Sequence, residues 1–194
     1  EVSADAYDLY LRARSLELRS GFTGLSNSVD AFSQVIAKDP SFAPAYAGLA
    51  AAHAARSGQF RYNFGDEISR MRTAAERAIQ LDPLLPEAHA ALAMAFARDG
   101  QWESSEKSFR HAIELDPNRS ESHRDFAKFF YAPLGRAAEA MQQLRLAEKA
   151  DPLAPDIHNL LSFRLISAGR YDEAAQECDK LPPDYWGKTE CLAN

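Results

Sequence analysis

The side chains in this sequence best suited to chemistry are five histidines, His53, His89, His111, His123 and His158, and two cysteines, Cys178 and Cys191. An imidazole moves protons near neutral pH or ligates a metal, given partners within bonding reach. No His-Glu-x-x-His pattern surrounds His111, and the cysteines lack Cys-x-x-Cys spacing. The cysteines are therefore read as two ordinary reduced thiols, with a 178 to 191 disulfide as the lesser alternative. Gly187-Lys188-Thr189 ends like a phosphate-binding loop, but the position where that loop needs its first glycine is Pro182. Neither a Gly-x-Ser-x-Gly elbow nor a Gly-x-Gly-x-x-Gly fingerprint occurs. Pairs such as Glu103 with Glu106 and Asp172 with Glu173 read as solvated faces or first-turn charges favoured by the helix dipole. The expectation is no catalytic residue, no metal ligand, no cofactor and no enzyme.

The elements that carry these residues are helices. The chain has 35 Ala and 20 Leu but only 3 Val, 6 Ile and 3 Thr among 194 residues, a mixture that favours helix and disfavours sheet. Hydrophobic content of 46% and charged content of 26% are those of a folded domain. With 22 basic against 28 acidic residues, the net charge of −6 argues against nucleic-acid contact. No apolar run is long enough for membrane insertion. Compartment stays open between cytoplasm, the favoured reading, and periplasm.

A repeat organises the helices. Ile36-Ala37-Lys38-Asp39-Pro40, Ile79-Gln80-Leu81-Asp82-Pro83, Ile113-Glu114-Leu115-Asp116-Pro117 and Glu148-Lys149-Ala150-Asp151-Pro152 recur with proline spacings of 43, 34 and 35 residues. Each Asp-Pro stops a helix, because proline lacks an N–H and forces the preceding residue out of the α region. Between Pro86 and Pro117, His89, Leu92, Ala93 and Phe96 share one helical face, Asp99-Gly100-Gln101 forms a turn, and Ser105, Phe109 and Ala112 make a second face.

These residues resemble the tetratricopeptide repeat. Further units read Tyr46, Leu49, Ala50, His53 with Met71, Ala75, Ala78; His123, Phe126, Ala127, Phe130 with Ala140, Leu144, Ala147; and His158, Leu161, Ser162, Leu165 with Ala174 and Cys178. The resemblance implies an all-α fold, a right-handed superhelix of about five helix-turn-helix repeats in a single domain. The repeats run over about 5–40, 43–83, 86–117, 120–152 and 155–181, with 182–194 a partial cap or the start of another repeat. His89, His123 and His158 then fall at one repeat position, about 8 to 10 Å apart, too far to share an ion bound at about 2 Å. They are read as packing residues. The nine extra residues of the 43-residue interval fall near Gly58 to Asp66, where Phe60, Tyr62 and Phe64 either form a binding ornament or, the preferred reading, lengthen a helix. The extra residue of the 35-residue interval is placed in a looser turn at Ala132 to Gly135.

The resemblance also implies function: a non-catalytic module that binds a peptide or protein segment in a concave groove lined by first helices. The groove positions are Ala47, Ala51, Met94, Arg98, Arg124, Lys128, Tyr131, Asn159 and Phe163. Arg98, Arg124 and Lys128 suit a carboxylate or phosphate, unless Arg124 and Lys128 instead pair with Asp125, Glu121 or Asp156. The opening Ala6-Tyr7-Asp8-Leu9-Tyr10-Leu11-Arg12 is similar to first repeats of bacterial modules behind winged-helix or kinase regulators, so a larger bacterial regulatory protein is expected. The alternative function is a structural assembly factor that acts through self-association or scaffolding.

Overall fold

The computed structural model describes residues 4–17, 22–59, 64–185, 187–188 and 191. Among them the regular structure is helical: α1 (Ala4–Glu17), α2 (Phe22–Lys38), α3 (Ala43–Gln59), α4 (Phe64–Leu81), α5 (Pro86–Arg98), α6 (Trp102–Leu115), α7 (Ser120–Asp125), α8 (Ala137–Ala150), α9 (Pro155–Ser167) and α10 (Tyr171–Asp179). A π-helical segment, Phe126–Tyr131, continues α7. None of the described helices is long and apolar enough to cross a membrane. The helices fall into two compact units, 1–116 and 117–194.

Within each unit, consecutive helices pack as antiparallel pairs, and small residues set how closely they approach. Ala78 of α4, Ala47 of α3 and Ala88 of α5 form one buried cluster, while Phe32 of α2 is wrapped by Ala13, Val29 and Ala52 with Tyr10 and Leu49 at its edge. In α6, buried Ser105 donates its hydroxyl to the Ala93 carbonyl of α5 at 2.9 Å, so even the polar member of this seam is satisfied.

The Asp-Pro stops have a common construction. Asp39, Asp82 and Asp151 each accept, through Oδ1, the backbone N–H two residues on, at 2.9, 3.0 and 3.1 Å. This local turn competes with helix continuation while the following proline forbids it. Helices α5 and α9 then begin on Pro86 and Pro155, whose fixed φ suits a first helical turn.

Two departures from the expected repeat length resolve differently. The long interval extends its helices: α3 and α4 have 17 and 18 residues, against 13 and 14 for α5 and α6. Phe60 and Tyr62 lie outside the described residues. The extra residue of the 35-residue interval does not loosen a turn. The turns at Gly100, Gly135 and Gly169 are equivalent, with φ of 72°, 71° and 71°. Each is closed by the same bond, from Gln101, Arg136 and Arg170 N–H to the carbonyls of Phe96, Tyr131 and Leu165. The surplus is absorbed earlier, in the π-helix, where Ala132 N–H reaches back five residues to Ala127 O at 3.0 Å. A helix whose ends are both fixed can take one more residue only by widening a turn.

Candidate functional site

The recurring histidines are hydrogen-bonded as well as packed. Tyr46 Oη and the Nε2 of His89, His123 and His158 donate to the carbonyls of Pro40, Pro83, Pro117 and Pro152, each six residues back, at 3.1, 2.8, 3.0 and 2.9 Å. The bulky first-helix position thus supplies a ring donor for the carbonyl that the Asp-Pro stop leaves without a helical partner. Sequence reasoning missed this role because it considered the slot only as volume. On the remaining ring nitrogen, His123 Nδ1 faces Gln143 Oε1 at 2.7 Å, and His158 Nδ1 faces Glu177 Oε2 at 2.9 Å. His53 pairs through Nδ1 with Glu67 at 2.7 Å, and Arg56 holds the other Glu67 oxygen at 3.4 Å.

The two cysteines are joined. A disulfide links Cys178 of α10 to Cys191, with Cα atoms 5.7 Å apart, which corrects the expectation of free thiols. Spacing in sequence gave no hint, because the chain must turn back at Pro182-Pro183 before Cys191 can meet Cys178. The pair is buried with Leu181 against Tyr185. Gly187 sits where a Cβ would approach Asn159 Oδ1 to 2.8 Å.

In unit 1–116, Ala47 is buried between Ala78 and Ala88, where helices cross. Met94 is also buried, Ala51 is half-buried and Arg98 is exposed. In unit 117–194, Arg124 is held by Asp125 Oδ1 at 2.9 Å and by Asp156 Oδ2 at 2.7 Å, tying α7 to α9. Burial works against its charge, but the two carboxylates outweigh that and push its pKa above the ordinary arginine range. Asn159 is buried, with no hydrogen-bond partner for Oδ1.

The π-helix changes which residues share a face. Because Tyr131 makes the turn bond made by Phe96 and Leu165, it takes the aromatic slot that the sequence assigned to Phe130. Tyr131 is accordingly buried, with the Arg136 guanidinium 4.8 Å from its ring centroid. Counting two residues back from that slot gives Phe129, in register with Met94 and Phe163. Phe129 and Phe163 are both half-buried, and the exposed Lys128 places Nζ 5.0 Å from the Phe129 ring centroid. Phe129 was not legible as a site residue, since a one-residue offset inside a helix leaves no mark on sequence spacing.

Helix pairs of this length, turn and stop are shared with known proteins, and residues 86–119 match the family described as tetratricopeptide repeat. Residues 86–119 therefore read as one tetratricopeptide repeat. Superkiller protein 3 of Schizosaccharomyces pombe is 26% identical over 190 residues, covering 93% of this chain but only 13% of that protein. Among solved structures, TTC0263, a thermophilic TPR protein of Thermus thermophilus, superposes with a TM-score of 0.67 at 21% identity, over 84% of this chain and 82% of that one. YrrB, a TPR protein with an unusual peptide-binding site, superposes with a TM-score of 0.55 at 17% identity, over 89% of this chain and 85% of that one. At these identities the likeness concerns the fold. Tetratricopeptide repeats are protein-protein interaction modules and are generally non-catalytic.

Proposed function

We propose that residues 117–194 present a peptide-binding face made by Lys128, Phe129 and Phe163, flanked by Arg124 and Asn159. The observation that carries this reading is that Phe129 and Phe163 stand at one register position of successive first helices and stay half-buried, beside an exposed ammonium. Two partly exposed rings offer apolar contact to a partner's side chains, and Lys128 offers a charge for a carboxylate. The ligand class is therefore an acidic peptide with apolar anchors. Peptide binding by YrrB is consistent with this use of the fold. Arg124 contributes less than its charge suggests, because Asp125 and Asp156 already neutralise it through Nε and Nη1.

In unit 1–116, the corresponding candidates are Ala47, Ala51, Met94 and Arg98, and only Arg98 among them is exposed. Membership of a larger bacterial regulatory protein belongs to the same proposal and rests on the Ala6 to Arg12 resemblance alone. A disulfide persists most readily in an oxidising environment, which favours the periplasmic reading over the cytoplasmic one.

The test is a peptide-array screen followed by fluorescence anisotropy on the best acidic binder. Lys128→Glu and Phe163→Ala, with circular dichroism unchanged, should each weaken binding by about tenfold. Affinity unchanged from the unmodified chain in both variants would overturn the assignment of this face.

A further inference from the structure

Where α8, α9 and α10 meet, the structure gathers Glu148, His158 and Glu177, whose ligand atoms all lie within 4.8 Å of one another. His158 and Glu177 are buried, and Glu148 is largely so. His158 Nδ1 lies 2.9 Å from Glu177 Oε2 and 3.8 Å from Glu148 Oε1. We propose that this cluster is a zinc site, with Glu148, His158 and Glu177 as ligands and Lys180 as a displaceable occupant.

The imidazole is constrained at both ring nitrogens. Its Nε2 proton is committed to the Pro152 carbonyl, as the fold commits the equivalent ring donors to Pro40, Pro83 and Pro117. Nδ1 therefore turns a lone pair toward a carboxylate oxygen 2.9 Å away, and two lone pairs at that distance require a positive centre. A proton is one solution and a metal ion is the other. Tetrahedral zinc with bonds of about 2.0 to 2.2 Å places its ligand atoms about 3.3 to 3.5 Å apart. The two separations from Nδ1 lie on either side of that distance and the two carboxylate oxygens lie within 4.8 Å of each other, so the glutamate side chains must draw together by up to about 1.5 Å to close the site.

Each of the three side chains is braced from outside. Arg145 Nη1 donates to the outer oxygens, Glu177 Oε1 at 2.5 Å and Glu148 Oε2 at 2.8 Å, and fixes the inner oxygens in place. The Pro152 carbonyl does the same for the imidazole, so each ligand has an outer partner. The inner oxygens are bridged by Lys180 Nζ, 2.8 Å from Glu148 Oε1 and 2.9 Å from Glu177 Oε2. That ammonium sits at the end of a flexible side chain that is 45% exposed. Its withdrawal into solvent leaves three protein ligands and an open fourth position for water. One imidazole with two carboxylates suits zinc better than calcium, which takes six to eight oxygens. Equivalent positions of successive repeats do not reveal this site, because its ligands come from one first helix and two second helices.

The test is isothermal titration of Zn2+ into the whole oxidised chain near neutral pH, where the disulfide leaves no thiolate to compete. One saturable ion per chain is expected, with affinity lowered by about tenfold or more in Glu148→Gln. Lys180→Ala should tighten binding by about tenfold, as for a site that the ammonium vacates about a tenth of the time, a gain that a misfolded variant would not give. Three results would overturn the proposal: no saturable zinc binding by the unmodified chain, unchanged affinity in Glu148→Gln, which would place the ion elsewhere, or unchanged affinity in Lys180→Ala.

Discussion

Replacing Gly48 by alanine sets two effects of known size against each other. Gly48 lies inside α3, where alanine is favoured over glycine by about 1 kcal/mol. A Cβ there would come within 2.4, 2.5 and 2.9 Å of Phe32 Cε1, Cζ and Cδ1. Carbon atoms pack best at about 3.5 to 4.0 Å, so the ring must retreat by about 1 Å. Phe32 has no exposed surface and is enclosed by Ala13, Val29 and Ala52 from α1, α2 and α3, which leaves the ring no room to move. Overpacking of this kind costs about 1 to 3 kcal/mol. With the clash at the upper end of that range, the substitution should destabilise by about 1 to 2 kcal/mol despite the gain in helix propensity. Urea denaturation followed by circular dichroism reads the sign directly. In a Phe32→Leu background the obstructing ring edge is gone, and the same substitution should become neutral or stabilising, a coupling that a double-mutant cycle isolates. A higher urea midpoint for Gly48→Ala in the unmodified background would refute the reasoning, since it would show that Phe32 can yield.

Other expectations follow from unit 117–194. The disulfide closes a loop with a sequence separation of 13, and chain entropy assigns such a loop about 3 kcal/mol. Reduction should therefore lower the urea midpoint, and an unchanged midpoint would show that the bond does not restrain Pro182 to Cys191. Glu148 and Glu177 also link stability to pH. Burial alone would raise both carboxyls, but hydrogen bonds from Lys180 and Arg145, joined at Glu177 by His158, hold them below the usual range. In the unfolded chain they take up protons first, at about pH 4.3, so their contribution is present above that value and is lost as pH falls through their lower folded values. The urea midpoint should fall on acidification from about pH 5 to about pH 3, and fall less in Glu177→Gln; equal falls would remove this cluster from the cause.

The sequence by itself determined the helices and their order. Asp-Pro stops, glycine turns and apolar faces with a period near 3.6 are local instructions, each carried by neighbours in the chain, and all reappear as helix ends and seams. It also placed Arg124 beside Asp125 and Asp156, where charge pairing was already one of two readings. Tertiary structure decided what depends on contacts across elements. Cys178 meets Cys191 only after the chain reverses, Ala47 is covered only once α5 lies on α3, and Lys180 reaches Glu148 only when α10 packs beside α8. The π-helix shows the limit most clearly. An extra residue between two fixed stops is plain in the spacing, but where it goes is decided by which turn can widen without breaking the packing around it. Here the closing turn was kept, the widening fell within Phe126 to Tyr131, and Phe129 came to the register position held by Met94 and Phe163.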